Sequence, residues 1–321
     1  MLLEFGPVRA LFFDGRDAGL RDVPRPHVEP GFALVRVSLA GICRTDLELV
    51  RGYMQFRGIL GHEFVGVVEE GPEEWCGKRV VGEINFACGR CGFCASGLGR
   101  HCPNRRVLGI LGADGTMAEY VVVPTSNLHA VPDSVPDEVA VFTEPVAAAF
   151  EILEQVHVVP GMRALVFGDG KLGLLVAQVL HAAGARVRVV GKHAEKLALA
   201  ESLGLEATRF PCAERAPLVV DATGAPDGFS VALAATEPRG TLVLKTTVAE
   251  TRPVETAKIV VDEIRVVGSR CGNFLPALRA LEAGTVRVRP LVSAVFPLSE
   301  AERAFEAARQ PGMLKVLLAA R

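Results

Sequence analysis

The 321-residue chain has no apolar run free of charges and breakers that reaches the about 18 residues of a membrane span. Its first ten residues, MLLEFGPVRA, lack the basic start and apolar stretch of a secretion signal. The expectation is a cytoplasmic protein with no membrane partner. Positive charge is in no surplus either: 35 basic residues face 37 acidic ones, for a net charge of −2. That balance argues against a function resting on a nucleic-acid backbone. Repeats and low-complexity tracts are absent, and the 33 glycines and 20 prolines are scattered, so they punctuate many turns and short strands. With 50% hydrophobic and 22% charged residues the chain is globular, and its length suits two domains of about 100–200 residues each, or one large one.

Up to about residue 159 the chain reads as short strands separated by turns. Residues 33–39 (ALVRVSL) alternate apolar and polar side chains, the period of a half-buried strand, and residues 64–69, 79–81 and 118–123 look similar. The texture then changes. Residues 139–156 are apolar and alanine-rich and predict one or two helices. Strands are expected at 163–167, 186–190, 218–221, 241–245 and 265–268, with helices at 172–183 and 194–203 stopped by Gly184 and Gly204. Alternating strand and helix implies a parallel sheet covered on both faces. The tail is expected to hold a helix over 299–309 and a last strand over 314–318.

Eight cysteines in a cytoplasmic chain are not expected to form disulfides, so their spacing decides their use. Four fall within fifteen residues, as Cys88-x2-Cys91-x2-Cys94-x7-Cys102, interleaved with glycines. Four thiolates so spaced close a tetrahedron around Zn²⁺ and leave no open position, which makes the site structural. The arginines nearby carry no interleaved aromatics, against a nucleic-acid-binding knuckle. Further on, Gly168-Asp169-Gly170-Lys171-Leu172-Gly173 is a G-x-G-x-x-G between a predicted strand and a predicted helix. Gly168 permits the turn, Gly170 the approach of a pyrophosphate and Gly173 close helix–strand packing. The next strand ends in Val190-Gly191-Lys192-His193, with no carboxylate for a ribose and two potentially cationic side chains. That ending suits a 2′-phosphate, so NADP is favoured over NAD, and Gly191→Asp is expected to reverse the choice.

The segments GICRTD, GHEFVGVV, the four-cysteine lobe, TEP and GDGKLG occur in one order. That order resembles the zinc-dependent medium-chain dehydrogenase/reductase family, which includes alcohol, polyol, threonine and glucose dehydrogenases. The resemblance implies an α/β fold: a GroES-like β catalytic domain (1–145, completed by 286–321) with an inserted Rossmann doubly wound parallel sheet (146–285). It implies a catalytic zinc held by Cys43, His62 and Glu144, with Glu63 as a possible further ligand, and a structural zinc on Cys88, Cys91, Cys94 and Cys102. Asp46 matches the carboxylate that orients the ligand histidine, and Thr45 the hydroxyl that relays the substrate proton. Gly168, Gly170, Lys171, Leu172, Gly173, Gly191, Lys192, His193, Lys196 and Thr223 are expected to bind the cofactor, and Lys315 lies near the basic residue that reaches its pyrophosphate.

Two departures from the family stand out. Glu48 occupies a position where members often carry a proton-shuttling histidine. Only sixteen residues separate Gly204 from Asp221, so the Rossmann sheet is expected to be trimmed on one side. The expected activity is zinc-assisted hydride transfer between an alcohol or polyol, or its carbonyl product, and NAD(P), by a homodimer or homotetramer. Oligomer contacts are expected at an edge formed by 241–245 and 265–268. A zinc-free quinone or enone reductase of the same fold and a non-catalytic NADPH-binding sensor are the alternatives. Two zincs per chain favour the dehydrogenase, and one favours either alternative.

Overall fold

A computed structural model describes residues 6–246 and 254–320. They divide into two compact units, one built from residues up to Glu144 together with those from Leu291 onward, the other spanning Pro145–Pro290. No helix among the described residues is long and apolar enough to cross a membrane.

The first unit is organised around the strand Phe32–Ile42, whose inward-facing residues Ala33, Val35 and Val37 are fully enclosed. It lies in a seven-stranded sheet ordered Leu128–Ala130, Arg79–Gly82, Glu63–Glu70, Phe32–Ile42, Lys315–Ala319, Val292–Pro297, with Tyr120–Pro124 also paired to Phe32–Ile42. The tail therefore completes this sheet: Lys315–Ala319 runs antiparallel to Phe32–Ile42 and parallel to Val292–Pro297. Register matters at one end. Gly41 pairs with Glu63 on one side and with Leu317 on the other, while Ile42 faces Val316. The first residues of two neighbouring strands thus flank the point where the central strand turns into Cys43. The four-cysteine segment forms a separate lobe on a small sheet of Asn85–Phe86, Arg106–Leu108 and Gly112–Ala113.

The second unit holds a parallel six-stranded sheet. Numbered within the sheet, Arg163–Phe167, Arg186–Gly191, Glu206–Arg209, Ala216–Asp221, Thr236–Leu244 and Arg265–Gly268 lie in the order 3-2-1-4-5-6, the doubly wound dinucleotide-binding order. The helix Lys171–Ala182 packs on it with every residue from Gly173 to Leu180 buried. Two expectations change here. The sheet is not trimmed, because Glu206–Arg209 supplies its third strand, paired to Arg186–Gly191. What is missing is a helix between this strand and the next, where residues 210–215 cross without regular structure. The segment 241–245 is not at an edge either, since Thr236–Leu244 pairs on both sides, whereas Arg265–Gly268 borders the described sheet opposite Glu206–Arg209.

Candidate metal centres and nucleotide site

Cys43 follows the central strand and caps the helix Arg44–Leu49, and Asp46 in the first turn returns a carboxylate oxygen to the Cys43 N–H at 2.7 Å. The other Asp46 oxygen lies 3.2 Å from His62 Nδ1. Asp46 and His62 are both buried. A carboxylate only accepts, so Nδ1 carries the proton and Nε2 is the nitrogen free to ligate, the usual outer-shell arrangement of a metal-bound histidine. Burial alone disfavours an imidazolium, but the charge and hydrogen bond of Asp46, with Cys43, outweigh it and hold His62 well above ordinary histidine. The pocket thus favours a positive charge at the imidazole. The Thr45 hydroxyl lies 3.8 Å from Cys43 Sγ.

Ligand atoms of Cys43, His62 and Glu63 lie within 4.8 Å of one another. Glu144 is not in this group. It is the second residue of the helix Thr143–Gln155 and is half-buried. The third member of this cluster is Glu63, because the Gly41–Glu63 register brings the start of the Glu63–Glu70 strand beside Cys43. Lys315 is fully enclosed, its ammonium forms an ion pair with Glu63, and it lies 5.3 Å from the Phe142 ring centre. It opens the strand Lys315–Ala319, which brings its ammonium to the cluster. Burial pushes its amine down to about 8, against the opposing pull of Cys43 and Asp46. Glu48 pairs with Arg44 at 3.5 Å and Arg51 at 3.1 Å, which makes it a surface ion-pair residue and not a substitute proton shuttle.

In the lobe, the sulfurs approach one another without disulfide bonding: Cys91–Cys94 at 3.4 Å, Cys91–Cys102 at 3.7 Å and Cys88–Cys94 at 4.0 Å. A tetrahedron with Zn–S of about 2.3 Å has edges near ~3.8 Å, so the donor set fits zinc in size and chemistry. The Cys88 thiol is held down to about 6, chiefly by the Arg90 N–H and then by Cys102, and so readily supplies a thiolate.

The glycine loop also fits its expected ligand. Gly168 has φ +120°, and a Cβ on Gly173 would lie 1.9 Å from the Gly168 carbonyl oxygen, so neither position accepts a side chain. Gly170 faces open space and caps the helix Lys171–Ala182 with no side chain of its own, leaving room for an anion at that terminus. Lys171 and Leu172 are half-buried in the first turn. Thr223 is tied to Asp221, with its N–H at 2.9 Å and its hydroxyl at 2.7 Å from one carboxylate oxygen. Lys196 is half-buried on the helix Ala194–Ser202.

At the strand end the carboxylate missing from residue 191 is replaced in space by Asp169. Its Oδ2 accepts the N–H groups of Lys192 at 2.7 Å and His193 at 2.8 Å, and His193 Nδ1 lies 3.0 Å from both carboxylate oxygens. A Cβ on Gly191 would meet that carboxylate at 2.5 Å. Gly191→Asp would therefore crowd the Asp169 carboxylate as well as add a ribose acceptor. The Lys192 ammonium lies 5.3 Å from the Phe210 ring centre, a contact the sequence did not suggest.

A β unit with a Cys–His–carboxylate cluster and a four-thiolate lobe, joined to a doubly wound nucleotide unit, defines a zinc-dependent hydride-transfer enzyme. Comparison with known proteins agrees. Residues 29–133 match the alcohol dehydrogenase GroES-like domain and residues 172–283 the zinc-binding dehydrogenase domain. D-arabitol-phosphate dehydrogenase of Enterococcus avium is 28% identical over 327 residues, covering 92% of each chain. Alcohol dehydrogenase TADH from Thermus sp. ATN1 is 31% identical with a TM-score of 0.88, covering 98% of this chain and 100% of that one. The rspB alcohol dehydrogenase of E. coli CFT073, solved with NADH, has a TM-score of 0.91 at 26% identity, covering 98% and 100%. The chain belongs to the zinc-binding, GroES-like dehydrogenase family.

Proposed function

We propose that this chain interconverts alcohols or polyols and their carbonyl products, exchanging hydride with a nicotinamide dinucleotide. The observation that carries this reading is the cluster of half-buried Cys43 with buried His62 and Glu63, with Asp46 behind the imidazole. Thiolate, imidazole and carboxylate suit zinc and leave a fourth position for substrate. A zinc ion there supplies Lewis acidity, which lowers the pKa of a bound hydroxyl. Asp46 keeps the Nδ1 proton of His62 in place and so orients Nε2. Thr45, beside Cys43, takes the hydroxyl proton at Oγ1 and passes it outward. Glu63 is the third ligand in the arrangement described, and Glu144 is the carboxylate that would replace it when Glu63 stays with Lys315. The thiolates of Cys88, Cys91, Cys94 and Cys102 hold a second, structural zinc.

The cofactor is read as NADP in preference to NAD. Asp169 spends its charge inward on the Lys192 and His193 N–H groups and on His193 Nδ1, which leaves the exposed Lys192 ammonium and the far edge of the His193 ring at the strand end. The names of the compared relatives, an alcohol dehydrogenase and a polyol-phosphate dehydrogenase, support the substrate class. The exposed border strand supports self-association. Pure protein assayed with a panel of alcohols, polyols and polyol phosphates should reduce NADP⁺, and metal analysis should find two zincs per chain. One zinc, with no turnover of any hydroxyl substrate, would sink the reading.

A further inference from the structure

The carboxylate of Asp169 lies inside the glycine loop, yet all its hydrogen bonds run to the turn after the next strand. Burial raises its pKa, but the His193 N–H, the His193 ring and the Lys192 N–H together outweigh that and hold it below the ordinary carboxylate value. It is therefore ionised when it grips the imidazole. Because a carboxylate only accepts, His193 Nδ1 must donate. This places Nε2 on the opposite edge of the ring, where no described group bonds to it, and the His193 side chain remains 47% exposed. Lys192 stands beside it over Phe210. The two outward nitrogens of this turn are thus oriented, one by Asp169 and one by an aromatic face.

We propose that Asp169 is a positioning residue for cofactor selection: by holding His193 through Nδ1 it turns Nε2 outward to engage the 2′-phosphate of the adenosine ribose. Selection is then set from the glycine loop and not by the residue that ends the strand. This rests on the nucleotide-binding reading of the second unit. Loss of the Asp169 charge removes the constraint on which ring nitrogen faces out. Asparagine at 169 keeps an oxygen for the two backbone N–H groups but presents an N–H₂ group to the ring, which reverses the imidazole's donor edge.

The test is calorimetric binding of two cofactor fragments, 2′,5′-ADP and 5′-ADP, to the intact zinc-loaded protein, so no turnover is needed. His193→Ala should weaken 2′,5′-ADP by about tenfold and change 5′-ADP by less than about twofold, the scale of one charge-assisted contact. Asp169→Asn should do the same. The double variant should be no weaker than His193→Ala alone, because Asp169 acts through the ring. Tighter 2′,5′-ADP binding by Asp169→Asn would show a repelling carboxylate and overturn the proposal. So would an equal loss for both fragments, or additive losses in the double variant. If the wild-type protein binds neither fragment, the nucleotide-binding reading itself fails, a result distinct from all of these.

Discussion

Asp46 divides its two oxygens between the Cys43 N–H and His62 Nδ1, so one buried carboxylate fixes two members of the cluster. Asp46→Asn retains the shape and removes the charge behind the imidazole. It should lower zinc affinity, read by chelator competition, by roughly 10–100-fold, with little change in secondary structure. Unchanged affinity would mean that His62 is not a ligand. The choice between Glu63 and Glu144 is also decided at single residues. Glu63→Gln alone leaves the enclosed Lys315 without its anion, and breaking a buried pair typically costs about 3–5 kcal/mol. Pairing Glu63→Gln with Lys315→Met removes that complication. If Glu63 is the resident ligand, this double variant should retain only the structural zinc, while Glu144→Gln should keep two. The opposite pattern would assign the site to Glu144.

The lobe shows how an element can depend on a metal. The four-cysteine segment has only two short helices and two-to-three-residue strands around it, and its exposed Phe93 and Leu98 contribute no core. Four sulfurs around zinc are what hold such a segment. Cys91→Ser should therefore lower the melting temperature and the zinc content from two per chain to one, with intrinsic turnover of the surviving folded protein reduced far less. Complete loss of turnover in a normally folded variant would make the lobe catalytic. This spacing was legible in the sequence because ligands and motif lie within one short segment. Regular strands such as Arg163–Phe167 were legible as well, since both faces are apolar and turns bound them. The strand Glu206–Arg209 was not: its residues, EATR, are exposed or half-exposed and carry no apolar signature, and only pairing to Arg186–Gly191 makes it a strand. Glu63 was legible as a candidate beside His62, but its meeting with Cys43 was not: that follows from the register between Gly41 and Glu63, a long-range property.

At the scale of the whole molecule, the remaining feature to account for is the apolar surface bordering the six-stranded sheet. Arg265–Gly268 offers an unpaired strand edge among the described residues, and unprotected edges invite pairing with another chain. The short helix Thr256–Val261 beside it exposes Val260 at 74% and Val261 at 79%, where a solitary monomer would favour polar side chains. Edge and valines belong to one stretch of chain, so a second copy that paired the strand would also cover the helix. A two-fold arrangement suits this, because the same patch then serves both partners and the edge closes on itself. The wild-type protein should accordingly run as a dimer or tetramer by light scattering at micromolar concentration. Val260→Asp together with Val261→Asp should shift it toward a smaller species. Neither side chain contributes to the core, so zinc content and the melting behaviour of the first unit should hold while the mass falls. A wild-type protein that is already monomeric, or a double variant of unchanged mass, would show that this surface does not carry the assembly.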